Sequence, residues 1–129
     1  MIKKIITVLI IFAVLFGFYK ITSQKPISIK IAPAPDTDLV LFYGDTCPHC
    51  KIVEEFISTN KINEKLKISQ LEVYKDKSNS SLFSKMVNEI CPEKLTADGL
   101  PVPFLINQVD KKCFIGDTPI KDYLTEKSK

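Results

Sequence analysis

The stretch DLVLFYGDTCPHCKIVEEFI, from Asp38 to Ile57, joins an apolar run to two closely spaced cysteines and then to a segment with helical periodicity. The run from Leu39 to Tyr43 has polar or small residues on both sides, which is typical of a strand buried on both faces. Pro48 suits the first position of a helix, because that position needs no N–H and favours the φ angle that proline fixes. The sequence therefore predicts a strand, a short connection carrying Cys47, and a helix.

The rest of the chain beyond this stretch alternates between helix and strand patterns. Cap signals and apolar residues at helical spacing predict three helices in all, and short apolar runs predict three further strands. The helices run from Pro48 to about Asn60, from about Ser80 to Cys91 and from Thr118-Pro119 onward, and the strands are 66–74 and the two arms of a hairpin around 107–112. The order is β-α-β-α-β-β-α, an α/β class. Right-handed crossovers then place two parallel strands centrally, with the hairpin alongside and helices covering the faces.

The N-terminal segment differs in composition from the rest of the chain. Its apolar run from Ile5 to Tyr19 follows Lys3 and Lys4 and ends before Lys20. As a helix it would span roughly 23 Å, somewhat less than the hydrocarbon core of about 30 Å. We predict an uncleaved membrane anchor at 1–21, a proline-containing linker at 22–37, and a folded domain at 38–129. A cleaved secretory signal and a buried core helix are the alternatives. The anchor and the cleaved signal both export the domain, because the positive end of the segment stays in the cytoplasm.

The overall composition argues against nucleic-acid binding. The net charge is only +3, and all 18 basic residues are lysines, mixed with 15 acidic residues. Bidentate guanidinium contacts to bases or phosphates are therefore absent. We predict no nucleic-acid partner and no cofactor.

The cysteine pair and its surroundings resemble the thioredoxin superfamily, in which C-x-x-C follows the first strand of a βαβ unit and a Val-Pro pair leads into a later strand. The resemblance covers about Asp38 to Lys127. FYGDTCPHC is similar to the glutaredoxin pattern, whereas the dipeptide Pro-His between the cysteines is that of DsbA-type oxidases. The resemblance implies a thioredoxin-like fold of glutaredoxin size, and the apolar run from Ile5 to Tyr19 predicts one hydrophobic helix before it.

Two positions depart from the patterns of these families. Leu41 stands six residues before the first cysteine, where thioredoxins and DsbA-type proteins have a buried acid that relays protons, so water or Glu54 would have to serve Cys50. The Gly-Gly pair that binds glutathione in glutaredoxins is reduced here to Gly116-Asp117. The sequence therefore gives no support for glutathione as a substrate.

The position of Cys47 at the start of a helix favours redox chemistry. A thiolate is the nucleophile in disulfide exchange, and free N–H groups at a helix N-terminus stabilise negative charge. We predict that Cys47 attacks, that the more buried Cys50 resolves the mixed disulfide, and that His49 favours the thiolate by its charge or by a hydrogen bond. Pro48 begins the helix. The alternatives are an ordinary disulfide or a bystander pair, and half of a zinc site that Cys91 and Cys113 or His49 would complete.

Val102 and Pro103 form the second predicted element of the site. The family resemblance implies a cis peptide bond before Pro103, facing Cys47 and leaving the Val102 backbone free to pair with an extended substrate. A trans turn before the strand is the alternative, and Pro101 is the competing candidate for the cis residue.

Cys91 and Cys113 are predicted to form a structural disulfide. Following the chain, both fall at the end of the domain opposite Cys47, where a bridge would tie the loop from Pro92 to Val102 to the hairpin. In the chain-entropy model, closing this loop of about 22 residues contributes on the order of 3 kcal/mol. Two free buried thiols are the alternative.

These features predict a membrane-anchored thiol–disulfide oxidoreductase on the extracytoplasmic side, or a secreted one after signal cleavage. Its partners would be the thiols and disulfides of exported proteins and a membrane protein that recycles the dithiol. Oxidation is favoured by Pro48-His49 and by the compartment, in which disulfides persist, while reduction and isomerisation stay open. A non-catalytic thioredoxin-like module that binds a membrane partner is the alternative from another class.

Overall fold

The computed structural model describes residues 35–129, together with Met1, Ile5, Ile6 and Phe16. The strands are β1 Leu39–Tyr43, β2 Ile68–Glu72, β3 Phe104–Asn107 and β4 Lys112–Ile115, and the helices are α1 Pro48–Thr59, α2 Ile62–Lys65, α3 Lys77–Ile90 and α4 Asp117–Lys127. A 3₁₀ turn at Pro92–Lys94 follows α3. Most of the predicted anchor and most of the predicted linker lie outside the described residues. Within the part that the structure describes, no helix is long and apolar enough to cross a membrane.

The four strands form one mixed sheet in the order β2-β1-β3-β4. β1 runs parallel to β2 and antiparallel to β3, which pairs with β4 as a hairpin. The α/β class and the element order predicted from the sequence are confirmed, with the short helix α2 added. The prediction that the parallel pair is central is wrong: β2 is an edge strand, because β3 occupies the other side of β1 and extends the sheet through β4.

Two apolar layers cover the sheet, and β1 contributes to both because successive side chains of a strand point to opposite faces. Leu39 and Leu41 pack with apolar residues of α1, α2 and α4. Val40 and Phe42 pack with α3, where Phe83 stacks on Phe42 with ring centroids 4.4 Å apart. The first four residues of β1 are buried and Tyr43 is half-buried, so the prediction of a strand covered on both faces is confirmed.

Two helices begin earlier than the sequence predicted. α3 begins at Lys77 rather than near Ser80, because the carboxylate of Asp76 accepts hydrogen bonds from the N–H groups of Ser78 (2.8 Å) and Asn79 (3.0 Å). Caps of this kind satisfy the free N–H groups of the first turn.

The last helix, α4, begins at Asp117 and not after a Thr118 cap. Gly116 precedes it with a φ of 88°, a conformation that glycine adopts without strain. Thr118 and Pro119 therefore lie in the first turn, where the missing N–H of proline costs no helical hydrogen bond. This early start places the Asp117 carboxylate beside the N-terminus of α1.

Residues 35–37, the last of the predicted linker, are hydrogen-bonded to the residue that follows β3. The side-chain amide of Gln108, just after β3, donates to the carbonyl oxygens of Pro35 (3.1 Å) and Thr37 (2.6 Å). The Thr37 hydroxyl donates in turn to the carbonyl of Leu39 at 3.0 Å. The chain therefore enters β1 along a fixed path from Pro35 onward.

Candidate active site

Cys47 is the N-cap residue of α1, and its sulfur lies among the polar groups of the first helical turn. The sulfur accepts the N–H of Cys50 at 3.3 Å, and Pro48 is the first helical residue. The Cys47 thiol also donates to the carbonyl oxygen of Val102, with sulfur and oxygen 3.6 Å apart. Only 7% of Cys47 is exposed. Groups from the start of α1 and from the loop before β3 therefore both contact the Cys47 sulfur.

Cys50 is fully buried one turn further along α1. Its sulfur accepts the N–H of Gly44 at 3.5 Å. Burial, together with the hydrogen bond to Cys47 and the negative charges of Cys47 and Glu54, raises the pKa of Cys50 to about 12, against the lowering effect of the Gly44 N–H. Both cysteines are free thiols. Cys50 is therefore a protonated, sheltered thiol at neutral pH.

His49 points away from the two sulfurs toward α4. Its Nδ1 lies 3.2 Å from a carboxylate oxygen of Asp117, and 68% of its side chain is exposed. Among the described residues, no hydrogen bond joins His49 to Cys47 or Cys50, so the hydrogen-bonding route predicted for His49 is not used in this structure. An effect of the His49 charge on the Cys47 thiolate stays a prediction.

Asp117 is a partner of His49 that the sequence did not suggest. Burial acts to raise the pKa of Asp117, but the hydrogen bonds from its own N–H and from His49, with the positive charges of His49 and Lys121, lower it overall. The carboxylate therefore stays negative near the dithiol and offsets the charge of a protonated imidazole. No local pattern indicates this contact, because it joins residues 68 positions apart.

The peptide bond between Val102 and Pro103 is cis. The carbonyl of Pro103 accepts the N–H of Gly116 at 3.0 Å, which holds this loop against the start of α4. Pro101, the competing candidate, is exposed and is not the cis residue. Val102 is only partly buried, and its carbonyl oxygen contacts the Cys47 sulfur.

Leu41 and Glu54 are the two positions that bear on proton transfer to Cys50. Leu41 is buried in the core against α1 and α4 and offers no proton-transfer group. Glu54, one turn beyond Cys50, acts on Cys50 by its charge and pairs with Lys51 at 2.9 Å. Of these two positions, only Glu54 places a titratable group near the buried sulfur.

Tyr74 and Glu72 complete the site, and sequence reasoning missed both. The ring of Tyr74 packs against Gly44, so closely that a Cβ at Gly44 would overlap it. The Glu72 carboxylate accepts backbone N–H groups from Tyr74 (2.7 Å) and Lys75 (2.9 Å), and more distantly from Asp45 (3.4 Å). The only sequence signal was their position at the end of a strand parallel to β1, because the carboxyl ends of parallel strands meet at one edge of the sheet.

Cys91 and Cys113 form a disulfide in the structure, with Cα atoms 6.4 Å apart. Cys113 lies opposite Ile106, toward the end of the sheet away from Cys47. Because these sulfurs are bonded to each other, they cannot complete a zinc site with Cys47 and Cys50. Within the described residues, no group of three or more His, Cys, Asp or Glu side chains is arranged to hold a metal ion.

Comparison with known proteins found one solved structure of note. A glutaredoxin from Archaeoglobus fulgidus superposes with a TM-score of 0.47 and 17% sequence identity, covering 81% of this chain and 95% of that chain. No protein-family model matches the chain, and no curated protein matches it.

Proposed function

We propose that the chain is a thiol–disulfide oxidoreductase in which Cys47 exchanges with the substrate and Cys50 resolves. The observation that carries the proposal is the contrast between the two sulfurs. The Cys47 sulfur accepts a backbone N–H at the start of α1 and donates to the Val102 carbonyl oxygen. Cys50 is fully buried, and its pKa is raised to about 12. One sulfur suited to attack and one sheltered sulfur beside it are what stepwise exchange requires.

In the oxidising direction the cycle begins with a disulfide between Cys47 and Cys50. A substrate thiolate attacks the Cys47 sulfur, the Cys47–Cys50 bond breaks, and Cys50 leaves with the electron pair and takes up a proton. A second substrate thiolate then attacks the substrate sulfur of the mixed disulfide and releases Cys47. The substrate loses two electrons and the protein dithiol gains them. Glu54 or water supplies this proton to Cys50, and removes it again when the dithiol is reoxidised.

The proposal extends to setting and partners. We infer a domain tethered by its N-terminal segment on the exported side of a membrane, acting as an oxidant on exported proteins and recycled by a membrane redox protein. The apolar run from Ile5 to Tyr19 and the Pro-His dipeptide support this setting and this direction. An extended substrate would pair with the backbone of Val102 beside Pro103.

Trapping a mixed disulfide tests the activity. The oxidised full chain in detergent is mixed with a reduced, unfolded protein that has two thiols, and disulfide formation is followed by mass spectrometry. With Cys50→Ser, the glutathione-oxidised protein should accumulate a substrate adduct at Cys47, and Cys47→Ser should form none. Membrane partner binding that survives Cys47→Ser, with no exchange by the native chain, would instead support the non-catalytic module.

The direction of exchange needs a separate measurement. Equilibration of the Cys47–Cys50 couple with glutathione buffers gives its reduction potential, and about 30 mV corresponds to 1.4 kcal/mol for this two-electron couple. We expect a potential above that of cytosolic glutathione. A potential well below it would make the protein a reductant.

A further inference from the structure

Tyr74 belongs to the loop after β2, but its ring lies against the loop that leads from β1 into Cys47. Its ring packs on the backbone of Gly44, three residues before Cys47, where a Cβ would overlap the ring carbons. The side chain is nevertheless 56% exposed, so packing in the core does not account for its position. Gly44 leaves the space that the ring occupies.

The ring carbon that bears the Tyr74 hydroxyl lies against Gly44, whose carbonyl accepts the N–H of Cys47 at 3.1 Å and whose own N–H donates to the Cys50 sulfur at 3.5 Å. Burial, the negative charges of Cys47 and Cys50, the hydrogen bond with Cys47 and the charge of Asp45 all raise the pKa of Tyr74. The phenol therefore keeps its proton and is available as a donor. The interaction is reciprocal. A Cys47 thiolate disfavours loss of the Tyr74 proton, and the Tyr74 O–H in turn stabilises the thiolate.

Glu72 fixes the loop that carries Tyr74. One carboxylate oxygen accepts the N–H of Tyr74 at 2.7 Å and the N–H of Asp45 at 3.4 Å. The other oxygen accepts the N–H of Lys75 at 2.9 Å, and the Lys75 ammonium pairs with the Asp45 carboxylate. The loop after β2 is thereby joined to the loop that leads into Cys47.

We propose that the Tyr74 hydroxyl is a second hydrogen-bond donor to the Cys47 thiolate, beside the Cys50 N–H. This inference rests on the proposed function and deepens it. The Val102 carbonyl on the same sulfur can only accept, so it favours the thiol and not the anion. When the mixed disulfide breaks and its electron pair stays on Cys47, Tyr74 donates a hydrogen bond to that sulfur without transferring its proton. The reduced form is stabilised, and the disulfide becomes more oxidising.

Other charged groups face these sulfurs and must be separated from the effect of Tyr74. Asp45 acts on Tyr74 and is paired with Lys75, while Glu54 on α1 acts on Cys50. His49 and Asp117 lie on the α4 side of the helix start. Replacing Tyr74 by Phe changes none of these charges.

The test is the pH profile of Cys47 alkylation in the full chain in detergent, with Cys50→Ser as the common background so that iodoacetamide reads a single free thiol. With Tyr74→Phe we expect alkylation below neutral pH to fall about tenfold, while the rate at high pH is unchanged, because hydrogen bonds to charged groups have effects of this size. In the chain with both cysteines, the equilibrium constant with glutathione should shift tenfold, which is about 30 mV, toward the disulfide.

Three further variants separate a donor from a merely structural ring. Tyr74→Leu should reproduce most of the Phe effect, and Gly44→Ala, which displaces the ring without changing Tyr74, should shift the profile in the same direction. Tyr123→Phe is the control: it removes a hydroxyl on α4 that accepts a hydrogen bond from the Asn107 amide at 2.6 Å. It should leave the pH profile of Cys47 alkylation unchanged.

An unchanged profile in Tyr74→Phe would overturn the proposal, as would an equal loss of rate at every pH, which would mean that the hydroxyl affects only access to Cys47. Alkylation measures the reactivity of Cys47 without any substrate. Either outcome is therefore distinct from failure of the proposed function, in which the native chain would not exchange disulfides at all.

Discussion

The assignment of attacking and resolving sulfurs predicts that Cys50 in the folded protein is almost inert to alkylation. We would compare Cys47→Ser, which leaves Cys50 as a free thiol, with Cys50→Ser, which leaves Cys47. The remaining cysteines are joined in a disulfide and do not react. Each variant therefore reports on one sulfur.

The expected magnitude follows from the environment of Cys50. With a pKa of about 12, roughly one molecule in ten thousand carries the thiolate at pH 8, whereas an ordinary thiol is about one quarter ionised. Cys47→Ser removes the contributions of the Cys47 sulfur, but burial, the first cause of the shift, and the charge of Glu54 remain. We expect Cys50 to react at least about a hundredfold more slowly than an exposed thiol.

The assay is iodoacetamide labelling at pH 8 followed by mass spectrometry over time, with the same variants in urea as the control. Both sulfurs should react at similar rates once the chain is unfolded. If native Cys50 labels as fast as native Cys47, burial does not shelter it, and the assignment of roles is refuted.

Three further predictions concern the surroundings of the site. Replacing both Cys91 and Cys113 by alanine should lower the free energy of unfolding in urea by about 3 kcal/mol, from the loop of 22 residues that their bond closes; no loss would contradict the bridge. Burial acts to raise the pKa of Glu72, but four backbone N–H groups lower it below 4.5, so its stabilising effect is present at neutral pH and is lost as the pH falls through the folded value. Thermal melts of Glu72→Gln should therefore lie below those of the native chain at pH 7 and converge with them in acid; a constant difference would contradict this. Asp117→Asn should make the dithiol more oxidising in glutathione buffers and His49→Ala less so, since the first removes a negative charge and the second removes a ring that can carry a positive charge at the start of α1; shifts of the same sign would reject the charge account.

The elements that position Cys47 could be predicted from the sequence because their signals are local. The apolar run of β1 and the proline at the start of α1 are adjacent in the chain, and each restricts its own backbone. The beginnings of α3 and α4 were less accurate, since Asp76 and Gly116 compete as caps with nearby residues of similar type.

The chain by itself thus determined the strand, the turn of helix and the two cysteines held at their junction. Only the tertiary structure decided what surrounds the sulfurs: Tyr74 on Gly44, Asp117 on His49 and the order of strands that makes β2 an edge. The physical reason is distance along the chain. Contacts between residues dozens of positions apart depend on how strands pair and helices pack, and no periodicity within one segment encodes which distant side chain will fill the space beside it.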